Sequence, residues 1–330
     1  MLLLINGAEG EAMKKKVLMD CDVGVDDALA LILAFNSPEL DVKAVTGVNG
    51  NVPLDWVFEN IQKVLSLIRP QLKTLIAKGA SQPLKGQSVY AHSVHGNDGL
   101  GGAKIERKQA EEWWQIYPGS AHELITRMAR QCPNELTLIA TGPLTNLALG
   151  LQRDLEGMRQ LKEVVIMGGA VRTKGNVTSH AEFNIFVDPL AAKIVFESGL
   201  PITLVPLDVT HQVFLTSQLI EVRVKPFHNA FSQFVIEATE YDITAHCFRT
   251  GEVFYLHDPL AVGVAINPDL VRKERLAINV ETQEGENYGQ VLETFGSPNI
   301  DLCVKVDTMR FLKLFLSRLV KNGKKDSGSW

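Results

Sequence analysis

The chain has 330 residues and a formal net charge of -5, with 45% apolar and 22% charged residues. That balance suits a soluble globular protein with a large core, and it offers no general electrostatic pull toward nucleic acid or an anionic membrane. No apolar stretch reaches the roughly 18 residues of an ordinary membrane-spanning helix. Cys21, Cys132, Cys247 and Cys303 are scattered without a CxxC pair, the pattern of reduced thiols in an intracellular, cytoplasmic protein rather than of a disulfide scaffold.

In chain order, residues 1–13 read as a loose leader, with MLLLI too short for a signal-peptide core. The pattern then predicts strands over 16–21, 41–47, 73–77, 135–140, 162–167 and 201–207. Helices are predicted over 27–36, 54–68, 119–131, 143–150, 188–198 and 226–247, and residues 322–330 form a polar tail. Near-continuous apolar strands alternating with helices imply an α/β fold, an open, mostly parallel doubly wound sheet with helices on both faces. Such sheets bind ligands beyond the carboxyl ends of their strands. The polar and glycine-rich motifs fall at those ends: DVGVDD, TGVNGN, ATGP at 140–143 and MGGA at 167–170. No repeat or linker divides the chain, so one domain is expected, with residues 211–256 as a helical subregion over the sheet.

The densest signal is DCDVGVDD at 20–27, four carboxylates in eight residues between two apolar runs. Helix capping accounts for Asp26 and Asp27. It leaves Asp20 and Asp22 unexplained at the mouth of an apolar strand, where like charges repel unless a cation or strong donors compensate. An oxygen-ligated divalent metal is the economical compensation. An EF-hand loop starting at Asp20 would need Glu at its twelfth position and finds Leu31, and no GxGxxG follows the first strand. An aspartyl phosphotransferase beginning DxD would carry Thr where Gly24 stands. Consecutive residues entering a helix point about 100° apart, so Asp26 and Asp27 are expected to serve different partners, one the metal and one the substrate.

Further along, NVTSHAEFN at 176–184 gathers Asn176, Glu182 and Asn184, a set suited to a polyhydroxyl ligand or simply to a surface loop. LHDPLA at 256–261 sets His257 and Asp258 at a helix start, where they fit a site or a cap. HGNDGLGG at 95–102 is a flexible loop whose His95 could reach a pocket.

Taken together and in order, DCDVGVDDALA, Gly50–Asn51, HGNDGLGG, ATGPLTNLA, MGGA, NVTSHAEFN and HDPLA resemble the inosine–uridine nucleoside hydrolase family, over about Lys15 to Val320. The first motif departs from the family form where Val23 stands for the commoner Pro. The resemblance implies Ca²⁺ held by Asp22, Asp27, Asp258 and the Thr141 carbonyl, binding the attacking water and the ribose 2′- and 3′-hydroxyls; ligand chemistry alone also admits Mg²⁺. It implies Asp22 as the base that takes the water's proton. Asp26, Asn51, Asn176, Glu182 and Asn184 would grip the sugar together with Asp258, and Asp20 and Cys21 would support the site. His257 would protonate the leaving base, as in the broad-specificity branch, and His95 would contact that base. Tyr241 and Arg249 would close over it, although Ala245 and His246 stand where another Tyr is expected.

The implied reaction is hydrolysis of the N-glycosidic bond of ribonucleosides to base and ribose. Bond cleavage develops oxocarbenium-like charge, which an anionic pocket stabilises, and direct attack by water inverts the anomeric carbon without a covalent intermediate. The competing readings are a non-catalytic nucleoside- or ribose-binding protein and a hydrolase of modified or nicotinamide ribonucleosides. The resemblance also implies a homodimer or homotetramer, while the charge balance and the lack of a basic patch with interleaved aromatics argue against nucleic acid or membrane as partner.

Overall fold

A computed structural model describes residues 13–108, 112–250 and 253–319, with the side chains of 242 and 245–250 outside the description. The first seven strands are β1 (Lys15–Cys21), β2 (Leu40–Gly47), β3 (Thr74–Lys78), β4 (Trp114–Ile116), β5 (Leu136–Ala140), β6 (Glu163–Met167) and β7 (Ile202–Val205). With the strands Val271–Leu276 and Ile300–Val306 they form one nine-stranded sheet. From one edge the order is Val271–Leu276, Ile300–Val306, β7, β6, β5, β1, β2, β3, β4. All neighbours run parallel except Val271–Leu276, which pairs antiparallel with Ile300–Val306. The sheet is therefore mostly parallel, as the alternation of strands and helices predicts.

The apolar strands are buried on both faces. Val17, Met19 and Cys21 of β1 join a core layer with Leu29, Ile32, Phe311 and Phe315. Leu18, pointing the other way, joins Leu138, Ile166, Phe196 and Leu204 in the opposite layer. The period of two along β1 sends alternate side chains to opposite faces, so a strand covered twice needs no polar face.

The predicted boundaries shift modestly. Helix α1 spans Val25–Phe35, two residues earlier than predicted, with Gly24 as its N-cap; Asp26 and Asp27 lie inside its first turn. Helix α2 spans Leu54–Ile68 as predicted. The strand expected over 201–207 stops at Val205, because Pro206 opens a short helical turn, Leu207–Thr210. The helix expected over 226–247 spans Ala230–Thr250, and its hairpin-like base is a two-stranded ribbon, Phe214–Thr216 against Val253–Tyr255. The strands β4, Val271–Leu276 and Ile300–Val306 escape the sequence pattern: the first is three residues long, and the second, VRKERL, is a charged edge strand. Among the described residues no helix is long and apolar enough to cross a membrane.

In chain order the sheet grows from β1 through β2 and β3 to β4 on one side, and from β5 through β6 to β7 on the other. The switch point thus lies between β1 and β5, whose carboxyl ends carry Asp22 and Thr141. Ligand crevices open at such points because the connections leave in opposite directions.

Candidate active site

Four buried carboxylates meet at this switch point. Asp22 and Asp27 are 0% exposed, Asp258 3% and Asp26 7%. Asp26, Asp27 and Asp258 each bring a carboxylate oxygen within 4.8 Å of the other two. Asp26 and Asp27 therefore bring their oxygens close together, near enough for one to face a metal and the other a substrate bound beside it. Their backbone directions diverge, but each side chain is long enough to turn its oxygen toward one common point.

The fold pins each carboxylate by a different device. Asp22 Oδ2 accepts the Asn51 backbone N–H at 2.7 Å, while its Oδ1, also buried, has no hydrogen-bond partner. Asp27 Oδ2 accepts the Gly24 N–H at 2.8 Å and the Asn51 side-chain amide at 3.2 Å, and its Oδ1 accepts the Thr141 hydroxyl at 2.7 Å. The capping role read for this segment is thus real, and Asp27 performs it from inside the helix. Asp258 occupies the first turn of the helix His257–Ile266, which packs against α1. Behind them, Asp20 Oδ1 is held by Thr46 and Asn146, a support the sequence did not reveal.

Glycines form the wall. A Cβ at Gly50 would lie 2.0 Å from Asp22 Oδ2, and one at Gly142 would lie 3.0 Å from its Oδ1. The Gly residues following β2 and β5 are therefore where backbone must touch a carboxylate.

Lost hydration and mutual repulsion raise the proton affinity of the cluster. Burial, followed by the charge of Asp27, pushes Asp22 well above the ordinary carboxylate range. Burial and the charges of Asp26, Asp27 and Asp22 do the same to Asp258. Asp27 rises only to about 6, because its hydrogen bonds from Thr141 and Gly24 oppose the effect of burial. A buried, partnerless oxygen beside three converging carboxylates is the donor set of a hard divalent cation, and these residues fit calcium.

The NVTSHAEFN segment divides. Glu182 caps the helix Phe183–Val187, with Oε1 accepting from Asn184 N and Oε2 from Gly169 N and Ile185 N. Asn184 donates its amide to the Thr141 carbonyl at 2.9 Å, tying the turn after β5 to the site. Asn176 is exposed, and its Oδ1 accepts from Phe183 N at 3.0 Å.

His95 is buried, and its Nδ1 accepts the Val25 N–H at 3.1 Å and lies 4.0 Å from Asp26 Oδ1. A nitrogen that accepts carries no proton, so His95 sits at the start of α1 as the Nε2–H tautomer. Tyr241 is exposed, with its hydroxyl 3.4 Å from the His92 carbonyl. The side chains of Arg249 and His246 lie outside the described residues.

His257 keeps partial solvent access in a crowded surround. Its ring stacks on Tyr255 with centroids 5.4 Å apart and meets His211 edge-on at 5.6 Å. Burial, with the nearby His211 and His95, lowers its pKa to about 3. With its pKa lowered in this way, the ring is neutral at pH 7. Thr210, His211 and Tyr255 are the neighbours that motif reading missed. The signal was present in PLDVTH, a polar motif at the carboxyl end of β7 like those after β1, β2, β5 and β6.

Residues 17–313 match the family model described as inosine-uridine preferring nucleoside hydrolase. The chain is 36% identical over 314 residues to the pyrimidine-specific ribonucleoside hydrolase RihA of Salmonella typhimurium, covering 93% of this chain and 99% of that protein. It is 37% identical over 317 residues to RihA of Citrobacter koseri, covering 93% and 98%. Among solved structures it resembles a purine-preferring ribonucleoside hydrolase from Gardnerella vaginalis, with TM-score 0.86, 31% identity and 93% and 98% of the two chains covered. It also resembles the plant nucleoside hydrolase PpNRh1, with TM-score 0.88, 31% identity and coverage of 94% and 100%.

Proposed function

The chain belongs to the inosine–uridine preferring nucleoside hydrolase family, and from that premise we propose how its own residues perform the reaction. It is a ribonucleoside hydrolase, splitting the N-glycosidic bond to free base and ribose. The observation that carries the mechanism is the buried Asp22, with one oxygen fixed by Asn51 and the other partnerless, beside the converging Asp26, Asp27 and Asp258.

Asp22, Asp27, Asp258 and the Thr141 carbonyl would hold the calcium. When bound, that ion supplies Lewis acidity that orients water and sugar hydroxyls and eases loss of the water's proton. Asp22 would take a proton from the attacking water, with the direction of its carboxylate set by the Asn51 N–H on Oδ2. The remaining negative charge of the pocket stabilises the oxocarbenium-like sugar, and low local dielectric strengthens that effect. Asp26, Asn51 and Asn184, with Glu182 bracing the Asn184 turn, hold the ribose; Asn176 reaches it only from the rim.

His257 faces the leaving base. As a neutral ring it stabilises the departing nitrogen by donating a hydrogen bond, rather than by transferring a proton from an imidazolium. His95 lies on the same side, and Tyr241 and Arg249 belong to the cover over the base. The protein works as one domain, in the cytoplasm, as a homodimer or homotetramer. The continuity of the sheet from Lys15 to Val306 supports the single domain. Sedimentation at working concentration tests the assembly; a strictly monomeric species rejects it.

The decisive experiment incubates the protein with uridine, cytidine, inosine, adenosine, guanosine and nicotinamide riboside and measures reducing sugar. Relatives named pyrimidine-specific and purine-preferring require both base classes in the panel. Ribose release supports the mechanism above. A protein that binds these nucleosides and releases no ribose is a binding protein instead.

A further inference from the structure

Thr210 lies at the end of the turn Leu207–Thr210 that follows β7, and it is 0% exposed. Its hydroxyl makes one side-chain hydrogen bond among the described residues, 2.7 Å to His257 Nδ1. We propose that Thr210 is a positioning residue, whose hydroxyl donates to His257 Nδ1 and thereby fixes the ring as the Nε2–H tautomer with Nε2 aimed at the leaving base.

The direction of this bond follows from counting donors and acceptors. A hydroxyl has one proton, and in a buried position that proton needs an acceptor. If His257 Nδ1 carried a proton and donated it, the Thr210 O–H would be left buried with no acceptor among the described residues. If the hydroxyl donates instead, the bond is satisfied and the ring proton must reside on Nε2. His257 Nε2 itself makes no hydrogen bond to a described residue, so the N–H is available to a ligand. Orientation is fixed as well, because the stacking of the ring on Tyr255 and its edge-on contact with His211 leave one plane. The hydrogen bond then selects which edge of the ring points back into the protein. The arrangement parallels that of His95, whose Nδ1 also accepts from the fold.

The catalytic part of this inference rests on the leaving-group reading of His257, whereas the tautomer does not, and the experiment separates them. Thr210→Val removes the hydroxyl at nearly constant shape, and Thr210→Ser keeps it. With the calcium-loaded enzyme, Thr210→Val should lower kcat on inosine or uridine about 10-fold, the scale of one hydrogen bond to an ionic or catalytic group. Turnover of p-nitrophenyl riboside, whose leaving group is already stable, should stay within about 2-fold, and Thr210→Ser should stay close to the parent on every substrate. Nitrogen-15 NMR of histidine-labelled protein should show His257 protonated at Nε2 in the parent and in Thr210→Ser, and a mixture of tautomers in Thr210→Val. A parent ring protonated at Nδ1 overturns the proposal, whether or not the variants fold. So does equal loss on both substrate types in Thr210→Val while His257→Ala remains selective for natural nucleosides. If His257→Ala itself slows both types equally, the leaving-group reading has failed, and the NMR result still decides whether Thr210 sets the tautomer.

Discussion

The backbone N–H of Asn51 holds one oxygen of Asp22 at 2.7 Å and leaves the other buried without a hydrogen bond. A carboxylate fixed on one side and unsatisfied on the other is poised to accept a proton or a cation. Asp22→Asn keeps the shape and removes the base. Turnover should fall by roughly 10²–10⁴-fold or more with every nucleoside in the panel, regardless of leaving base, with metal content measured beside the kinetics. A variant retaining more than about a tenth of parent activity at full calcium occupancy removes Asp22 from the role of base.

His257→Ala should discriminate between substrates. Inosine and uridine should slow by up to roughly 10²-fold, the low end for losing an acid–base group, because the neutral ring contributes a hydrogen bond. p-Nitrophenyl riboside should be nearly unaffected. Because the ring is neutral, with its pKa lowered to about 3, kcat on inosine should show no loss attributable to His257 deprotonation between about pH 6 and 8. A descending limb near the ordinary histidine pKa that vanishes in His257→Ala would establish an imidazolium acid instead.

Calcium and pH should act together on stability. In the metal-free protein burial raises Asp20 to about 7 and Asp27 to about 6, from an ordinary 3.8. A carboxyl group whose folded pKa is raised favours the folded state while protonated. That contribution is complete below the ordinary value and is lost as pH rises through the folded values. The melting temperature without metal should therefore decline between about pH 4 and 7. Added calcium should restore more at pH 7.5 than at pH 5, since the ligands must be deprotonated to bind; the restored stability is about 2.7 kcal/mol at a hundredfold excess over Kd. Calorimetry with and without a chelator checks the sign, and a calcium effect larger at pH 5 contradicts it.

Gly50→Ala should act on the site without a general effect on the fold. The new Cβ would fall 2.0 Å from Asp22 Oδ2, so the carboxylate must move and the Asn51 bond must break. Expected outcomes are weaker calcium binding by titration calorimetry and at least roughly 10²-fold lower kcat. Gly199→Ala is the control. Gly199 adopts φ +76° with nothing within 4 Å of its added carbon, so it should cost about 1–2 kcal/mol of stability through backbone strain and leave calcium affinity unchanged.

Much of the site was legible as spacing. The DCDVGVDD cluster resists a purely structural explanation by its composition, while Asn51, Thr141 and Asp258 lie at strand ends or helix starts and were assigned through the family resemblance. The convergence of Asp26 with Asp27 was not legible, because a helical wheel gives backbone direction and not the reach of a side chain. The outward position of Asn176 was hidden for a similar reason: residues close in sequence separate once Glu182 caps a helix and turns the chain inward.

By itself the sequence determined the alternating architecture, since apolar runs and their breaks impose period and order on the chain. It also pointed to the chemistry of the site, because four acids beside apolar strands call for a cation or strong donors to compensate them. Only the tertiary structure decided the protonation of the histidines. A pKa and a tautomer depend on which groups exclude water and which donors face each ring nitrogen. For His257 these are His211, Tyr255 and Thr210, brought to the helix start at residue 257 from elements distant in the chain or on the preceding strand.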